Sequence, residues 1–294
     1  MAPPRALTHD ELASLLTKTS RTFALAIPLL GEPLATDVGL AYLLFRIADT
    51  LEDAPLWKRD ARMQALESFS AWLTTEDSET AWMDLAASSP PTKDAGCIEL
   101  LARAEDVRAA TLSRGPGIAR SVGIDVCRTS TRMAQYVARQ TDVGAVVLAD
   151  LPDLRDYCYA VAGIVGELLT DLFSQREPAV AKHRDALADL APAFGEGLQL
   201  VNILKDAPSD AREGRVYLPP TVPRADVVAL ARRDLDRADE YVELLERAGA
   251  SRGVVTFCEL PRRLAVATLD TLEAGAAKLS REEVMRITSE VMKR

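Results

Sequence analysis

The segment YLLFRIADTLED, Tyr42–Asp53, decides how the chain is read. On an α-helix, residues three and four apart share a face. This spacing puts Asp49, Glu52 and Asp53 on one side, Arg46 one turn before Asp49, and Tyr42 one turn before Arg46. The preceding run GLAYLLF is apolar, so the polar face is expected to turn inward. Pro28, Gly31 and Pro33 break the chain upstream, and the helix is predicted from about Leu34 to Glu52.

The same helical pattern fills most of the chain. Thr8 with Glu11 and Ser280 with Glu283 have capping-box spacing and mark helix starts near each end. Further breaks fall at Ser88–Thr92, Gly115–Gly117, Pro152, Pro178 and Pro219–Pro223. The segments between them are rich in Ala, Leu, Arg and Glu, which favour helix. No series of short alternating β-branched runs predicts a sheet, and no solenoid repeat is present. Thr74–Thr92 is the most loop-like stretch but is too short to separate two domains. The expectation is a single all-α domain over residues 1–294, with its core at about 12–280.

Composition narrows the function classes. Of 294 residues, 48% are hydrophobic and 27% charged, as in globular chains. The balance of 35 basic against 44 acidic side chains argues against general nucleic-acid binding, which relies on Lys and Arg at phosphates. Two histidines, His9 and His183, leave little room for a His-based triad or a multi-His zinc site. Cys97, Cys127, Cys158 and Cys258 show no CxxC spacing and are read as reduced, buried thiols of a cytoplasmic protein. The start MAPPRALTHDEL lacks an apolar signal core, and the end ITSEVMKR is polar. The most apolar stretches, Val143–Leu151 and Cys158–Gly166, fall short of the roughly 18 residues of a spanning helix.

A second polar face lies in Gln199-Leu-Val-Asn202-Ile-Leu-Lys-Asp206-Ala-Pro-Ser-Asp210. If helical, Gln199, Asn202, Asp206 and Asp210 share a side while Leu200, Val201, Ile203 and Leu204 pack elsewhere. Pro208 disfavours helix at Ala207 and lacks an N–H, so Asp210 is expected just past the regular helix. Taken singly, each face reads as a solvated helix end. Together they are hard oxygen ligands without His or thiolate, the set suited to Mg²⁺. Two such helices facing each other across an apolar cavity would clamp a diphosphate through bridging metals, as metal-assisted loss of diphosphate requires. Ser20, Arg21 and Thr22 follow the first helix; Lys205, Arg215 and the run Gly214–Pro219 flank the second face. Arginine suits phosphate through its fork of donors. In Tyr157–Glu167, small residues at Ala162, Gly163 and Gly166 allow either close helix packing or space for a ligand, and Phe257–Pro261 reads as a kinked core helix. No Gly-rich dinucleotide fingerprint or P-loop is present.

These motifs together resemble the squalene and phytoene synthase family. They are SRTF at 20–23, YLLFRIADTLED at 42–53, YCYAVAGIVG at 157–166, LQLVNILKDAPSD at 198–210 and GRVYLP at 214–219. The resemblance implies an all-helical isoprenoid synthase fold around a central cavity, three Mg²⁺ ions, and head-to-head joining of two prenyl diphosphates. By motif, Asp49, Glu52, Asp53, Asn202, Asp206 and Asp210 fall at metal-binding positions. Ser20, Arg21, Thr22, Arg46, Gln199, Lys205 and Arg215 fall at positions that handle diphosphate, and Tyr42 and Tyr157 at cavity tyrosines near the reacting carbons. The chain departs from common family patterns at Thr50, Lys205 and Pro208. Thr50 in DTLED and the run TFCELPRRLAVATL, 256–269, are more similar to squalene synthases than to phytoene synthases. The resemblance therefore implies farnesyl diphosphate as substrate, presqualene diphosphate as intermediate and squalene as product. NADPH would serve as hydride donor, bound without a Rossmann unit, and Phe257 would shield the cation. Dehydrosqualene, phytoene or presqualene diphosphate as end product stay open, as do a cyclase and a non-catalytic assembly factor of the same fold. Oligomeric state is not legible. The apolar substrates imply a cytoplasmic enzyme in weak contact with the membrane surface.

Overall fold

Helical segments build nearly all of the described residues. The structure, a computed structural model, describes residues 7–20, 23–74, 80–140, 146–212 and 215–293. These residues form two compact units, divided between Arg139 and Gln140. The first contains α1 (His9–Thr19), α2 (Phe23–Ala26), α3 (Leu34–Asp53), α4 (Arg59–Thr74), α5 (Ala81–Ser88), α6 (Ala95–Ala102), α7 (Ala104–Leu112) and α8 (Pro116–Ala138). The second contains α9 (Leu151–Cys158), a π-helical turn (Tyr159–Gly163), α10 (Ile164–Arg176), α11 (Pro178–Ala181), α12 (Arg184–Arg212), α13 (Arg224–Ala248), α14 (Arg252–Glu273) and α15 (Arg281–Lys293). Among the described residues the extended pairing is limited to one isolated bridge, Val147 with Val216, so the all-α reading is borne out. None of the described helices is long and apolar enough to cross a membrane.

In the first unit α3 is the central element. Leu40, Leu43, Leu44, Ile47 and Leu51 are almost completely buried. Its start is held by an ion pair between buried Asp37 and Arg114, 2.6 Å apart. An aromatic cluster of Phe69, Trp72 and Trp82 fills the space beside it, with ring centroids 5.2–5.8 Å apart. Trp82 belongs to α5, a helix within the stretch expected to be most loop-like. Burying that indole outweighs the polar composition around it. The capping box at Thr8 and Glu11 forms as predicted, and the Ser280 hydroxyl accepts the Glu283 N–H at 3.1 Å.

The second unit is organised by α12 and α13, which pack along much of their length. Gly197 lets them approach: a Cβ there would lie 3.2 Å from the backbone of Asp234. Gly166 and Gly195 make the contact of α12 with the π-turn and α10. A Cβ at Gly195 would lie 2.0 Å from the Ala162 carbonyl oxygen, and one at Gly166 2.1 Å from that of Ala191. The small residues of Tyr157–Glu167 thus serve close helix packing rather than space for a ligand. α12 continues through Pro192 and Pro208, and α14 through Pro261. The expectation that Asp210 lies beyond the regular helix is therefore wrong. Cys97, Cys158 and Cys258 are buried thiols, whereas Cys127 is half-buried.

Close packing in the second unit also encloses charge. Glu196 of α12 and Asp234 of α13 are buried, and Arg155 of α9 reaches Glu196 at 3.4 Å. Oδ2 of Asp234 has no hydrogen-bond partner. Burial pushes the Glu196 carboxyl up to about 7, with Asp234 adding repulsion and Arg155 opposing it. Burial likewise pushes Asp234 up to about 6.

Two outcomes are expected. Gly195→Ala drives a methyl into the Ala162 carbonyl and should destabilise the protein by about 1–3 kcal/mol or more. Gly123→Ala in α8, where the nearest atom is 3.8 Å away, should instead stabilise it slightly; thermal melts of both variants check this. The raised carboxyls set the sign of the pH dependence. Between the unfolded pKa near 4 and the folded values of 6–7, the native state binds more protons, so stability falls as pH rises. Melting temperature should decline from about pH 5 to pH 7.5, with a smaller slope in Glu196→Gln. A stability that rises across this window would contradict the assignment.

Candidate functional site

In the first unit, one stripe of α3 stays open from Tyr42 onward. Tyr42, Arg46 and Asp49 are half-buried and Asp53 is exposed, while the helix is otherwise sealed by apolar packing. Glu52 does not share this stripe as predicted. It is only 7% exposed, at the buried edge, because α4 folds back over the end of α3. The link is Arg62, whose guanidinium donates to the Glu52 backbone carbonyl, with Nε at 2.6 Å. Oε1 of Glu52 has no hydrogen-bond partner.

The electrostatics of the stripe follow from this packing. Desolvation pushes Asp49 up to about 7; Arg46 opposes the shift and Asp53 adds to it. Desolvation, with Asp53 and Asp49 adding, raises Glu52 well above the usual carboxylate range. Arg46 is the counter-charge, with Nη1 3.9 Å from Asp49 and Nη2 3.7 Å from the Cys97 sulfur. Its Nε is buried without a partner. Thr50 is buried and donates to the Arg46 carbonyl at 2.7 Å, so its hydroxyl serves the helix. Tyr42 donates its hydroxyl to the Thr19 carbonyl at 3.1 Å and packs against Phe23, with centroids 5.3 Å apart. Burial raises its pKa. The Ser20 hydroxyl accepts the Phe23 N–H at 2.9 Å. Arg21 and Thr22 lie outside the described residues.

In the second unit, α12 presents Gln199, Asn202, Asp206 and Asp210 on its open side, while Leu200, Val201, Ile203 and Leu204 are buried, as predicted. Here each carboxylate has a cation. Lys205 contacts Asn202 Oδ1 at 3.2 Å and Asp206 Oδ2 at 3.3 Å. Arg215 pairs with Asp210 at 3.0 Å, and its N–H donates to the Asp210 carbonyl at 2.8 Å. Arg224 donates to the Leu204 carbonyl at 3.2 Å. Tyr157 is buried and stacks on Tyr217 with centroids 5.3 Å apart. Tyr159 donates to Glu167 at 3.0 Å. Phe257 is 3% exposed and meets the Phe173 ring edge-on at 6.3 Å, inside the helical core of this unit. Gly214 lies outside the described residues.

Sequence reasoning missed three contributors. Arg62 and Cys97 come from other helices, and Arg224 from the start of the next one; helical periodicity within one segment carries no signal for them.

Both stripes are oxygen-rich. Among the described residues, no three acidic, His or Cys side chains converge closely enough to hold a metal ion by themselves. That suits Mg²⁺, which takes one or two carboxylates and completes its sphere with water and phosphate oxygens. The partnerless oxygen of Glu52 and the raised carboxyl of Asp49 mark the first stripe as short of positive charge. The donor set fits the ion.

A family model for squalene/phytoene synthase matches residues 16–225. The squalene synthase of Candida albicans is 27% identical over 280 residues, covering 87% of this chain and 60% of that protein. That of Ganoderma lucidum is 26% identical over 288 residues, covering 86% and 59%. The chain thus spans about 60% of the length of these curated relatives. Among solved structures, TcSQS with the ligand E5700 superposes with a TM-score of 0.73 at 22% identity, covering 95% of this chain and 84% of that one. A dehydrosqualene synthase gives 0.59 at 20% identity, covering 96% and 94%. These likenesses share the all-helical fold, and with a family match over well more than half its length the chain belongs to the squalene/phytoene synthase family.

Proposed function

We propose that the chain joins two farnesyl diphosphates head to head into presqualene diphosphate and converts this to squalene, with Mg²⁺ and with NADPH as hydride-donating co-substrate. The observation that carries the reading is the pair of polar stripes on α3 and α12, each inside a family motif and each combining carboxylates with Arg or Lys.

Mg²⁺, when bound, neutralises the leaving diphosphate. Asp49, Glu52 and Asp53, and Asn202, Asp206 and Asp210, are the residues read as holding it. Arg46, Lys205 and Arg215 carry cations within reach of the same carboxylates. These guanidinium and ammonium groups would offer N–H donors to diphosphate oxygens. Ser20, Arg21, Thr22 and Gln199 are read as completing that binding. The Tyr42 hydroxyl donates a hydrogen bond to the Thr19 carbonyl, so its oxygen lone pairs stay available to stabilise a carbocation. The Tyr157–Tyr217 stack supplies an aromatic surface suited to the same cation. Phe257, buried beside Phe173 in the helices of the second unit, is read as shielding the cation from water. The two units are read as serving one reaction in one domain. The apolar tails of substrate and product support a cytoplasmic enzyme in weak contact with the membrane surface.

Incubation with farnesyl diphosphate and Mg²⁺ should accumulate presqualene diphosphate without NADPH and release squalene with it. Asp49→Asn and Asp206→Asn should each lower turnover by about two to four orders of magnitude while melting as folded proteins. Near-normal activity in either variant at ordinary Mg²⁺ would remove the metal-binding reading. Dehydrosqualene or phytoene formed equally well without NADPH would move the product assignment while leaving the coupling step intact.

A further inference from the structure

α12 carries Pro208 between two of the residues read as ligands, Asp206 and Asp210. Proline has no N–H, so the carbonyl of Leu204, four residues earlier, loses its helical donor. Local rules predict that the helix opens here, yet it continues to Arg212. The replacement donor comes from the start of α13, where Arg224 Nη2 lies 3.2 Å from the Leu204 oxygen. Among the described residues the Arg224 guanidinium makes no ion pair, which leaves this carbonyl as its partner. The rest of the turn is closed locally. The Ser209 hydroxyl donates to the Asp206 carbonyl at 2.7 Å, and Arg212 Nε to that of Pro208 at 2.9 Å. Arg224 is therefore the contact from outside the helix that repairs the gap beneath the turn bearing both aspartates.

We propose that Arg224 is a positioning residue: its guanidinium replaces the donor that Pro208 lacks and holds the Asp206–Asp210 turn in helical register. This rests on the reading of that turn as a metal–diphosphate face, which the residue itself does not touch.

The test is a double-mutant cycle between Pro208→Ala and Arg224→Ala. Alanine at 208 restores an N–H to the Leu204 carbonyl, so Arg224 should become dispensable in that background. Hydrogen exchange of the Ser209–Arg212 amides should quicken about tenfold in Arg224→Ala and less than about twofold when the same change is made in Pro208→Ala. The half-saturating Mg²⁺ concentration should rise several-fold in Arg224→Ala, with kcat less affected. It should return toward normal in the double variant, and Arg224→Lys should restore part of the loss. Should Arg224→Ala fail to fold, its rescue by Pro208→Ala supports the proposal and failure in both backgrounds overturns it. Equal losses in both backgrounds, or unchanged exchange in Arg224→Ala, overturn it as well. The exchange cycle reads the device whatever the chain catalyses. Its failure with Asp206 still essential would leave the proposed function standing.

Discussion

The governing constraint is the cost of holding carboxylates on a helix that water reaches from one side only. α3 is wrapped by leucine and isoleucine except along the stripe that starts at Tyr42. Asp49, Glu52 and Asp53 crowd the end of that helix, where Arg46 faces Asp49 and Arg62 is held on the Glu52 backbone carbonyl. Burial and mutual repulsion both favour the neutral acid, so the ionised form needs an added cation. In the proposed function a hard divalent ion would supply that charge without the bulk of another side chain. α12 solves the same problem in another way, since Lys205 and Arg215 already sit on Asp206 and Asp210. One stripe is short of positive charge and the other carries its own.

Periodicity made the azimuth of these side chains legible. It placed Tyr42, Arg46, Asp49 and Asp53 on one line, and Gln199, Asn202, Asp206 and Asp210 on another, because a helical repeat fixes direction around the axis. It could not supply depth. Glu52 belongs to the same quadrant, but Arg62 draws α4 over its end, and only tertiary packing reveals that the carboxylate lies below the surface. The same limit explains α5. It lies in the stretch 74–92 that reads as most loop-like, while Trp82 packs on Phe69 and Trp72 and anchors the segment as a helix.

Pro208 is the instructive failure of a local rule. The rule is sound for an isolated helix, where nothing replaces the missing donor. Here a long, flexible, permanently charged side chain, 20 positions away in sequence, reaches the orphan carbonyl. The proline thereby stops being a terminator and becomes a site where the helix depends on its neighbour. Pro192, by contrast, lies deeper in α12, where extensive packing against α13 and the π-turn supports the helix around it.

Close backbone approach also decides the meaning of the glycine-rich segment after Tyr157. Small residues in a helix leave room that either a ligand or another backbone can fill. Gly166 and Gly195 look directly at carbonyl oxygens of neighbouring elements, so backbone fills it. Gly163 has a different task. A Cβ there would lie 2.6 Å from the ring of Tyr159, and its absence lets that ring lie across the π-turn and bond Glu167. A π-turn adds a residue to the helical repeat and shifts the phase of the residues beyond it. Tyr159 is thus committed to its own helix, while Tyr157, before the phase shift, stacks on Tyr217 of the GRVYLP run. That stack ties the tyrosine motif to the segment carrying Arg215, which pairs with Asp210. Aromatic surface and carboxylate turn are in this way joined through one short strap of chain.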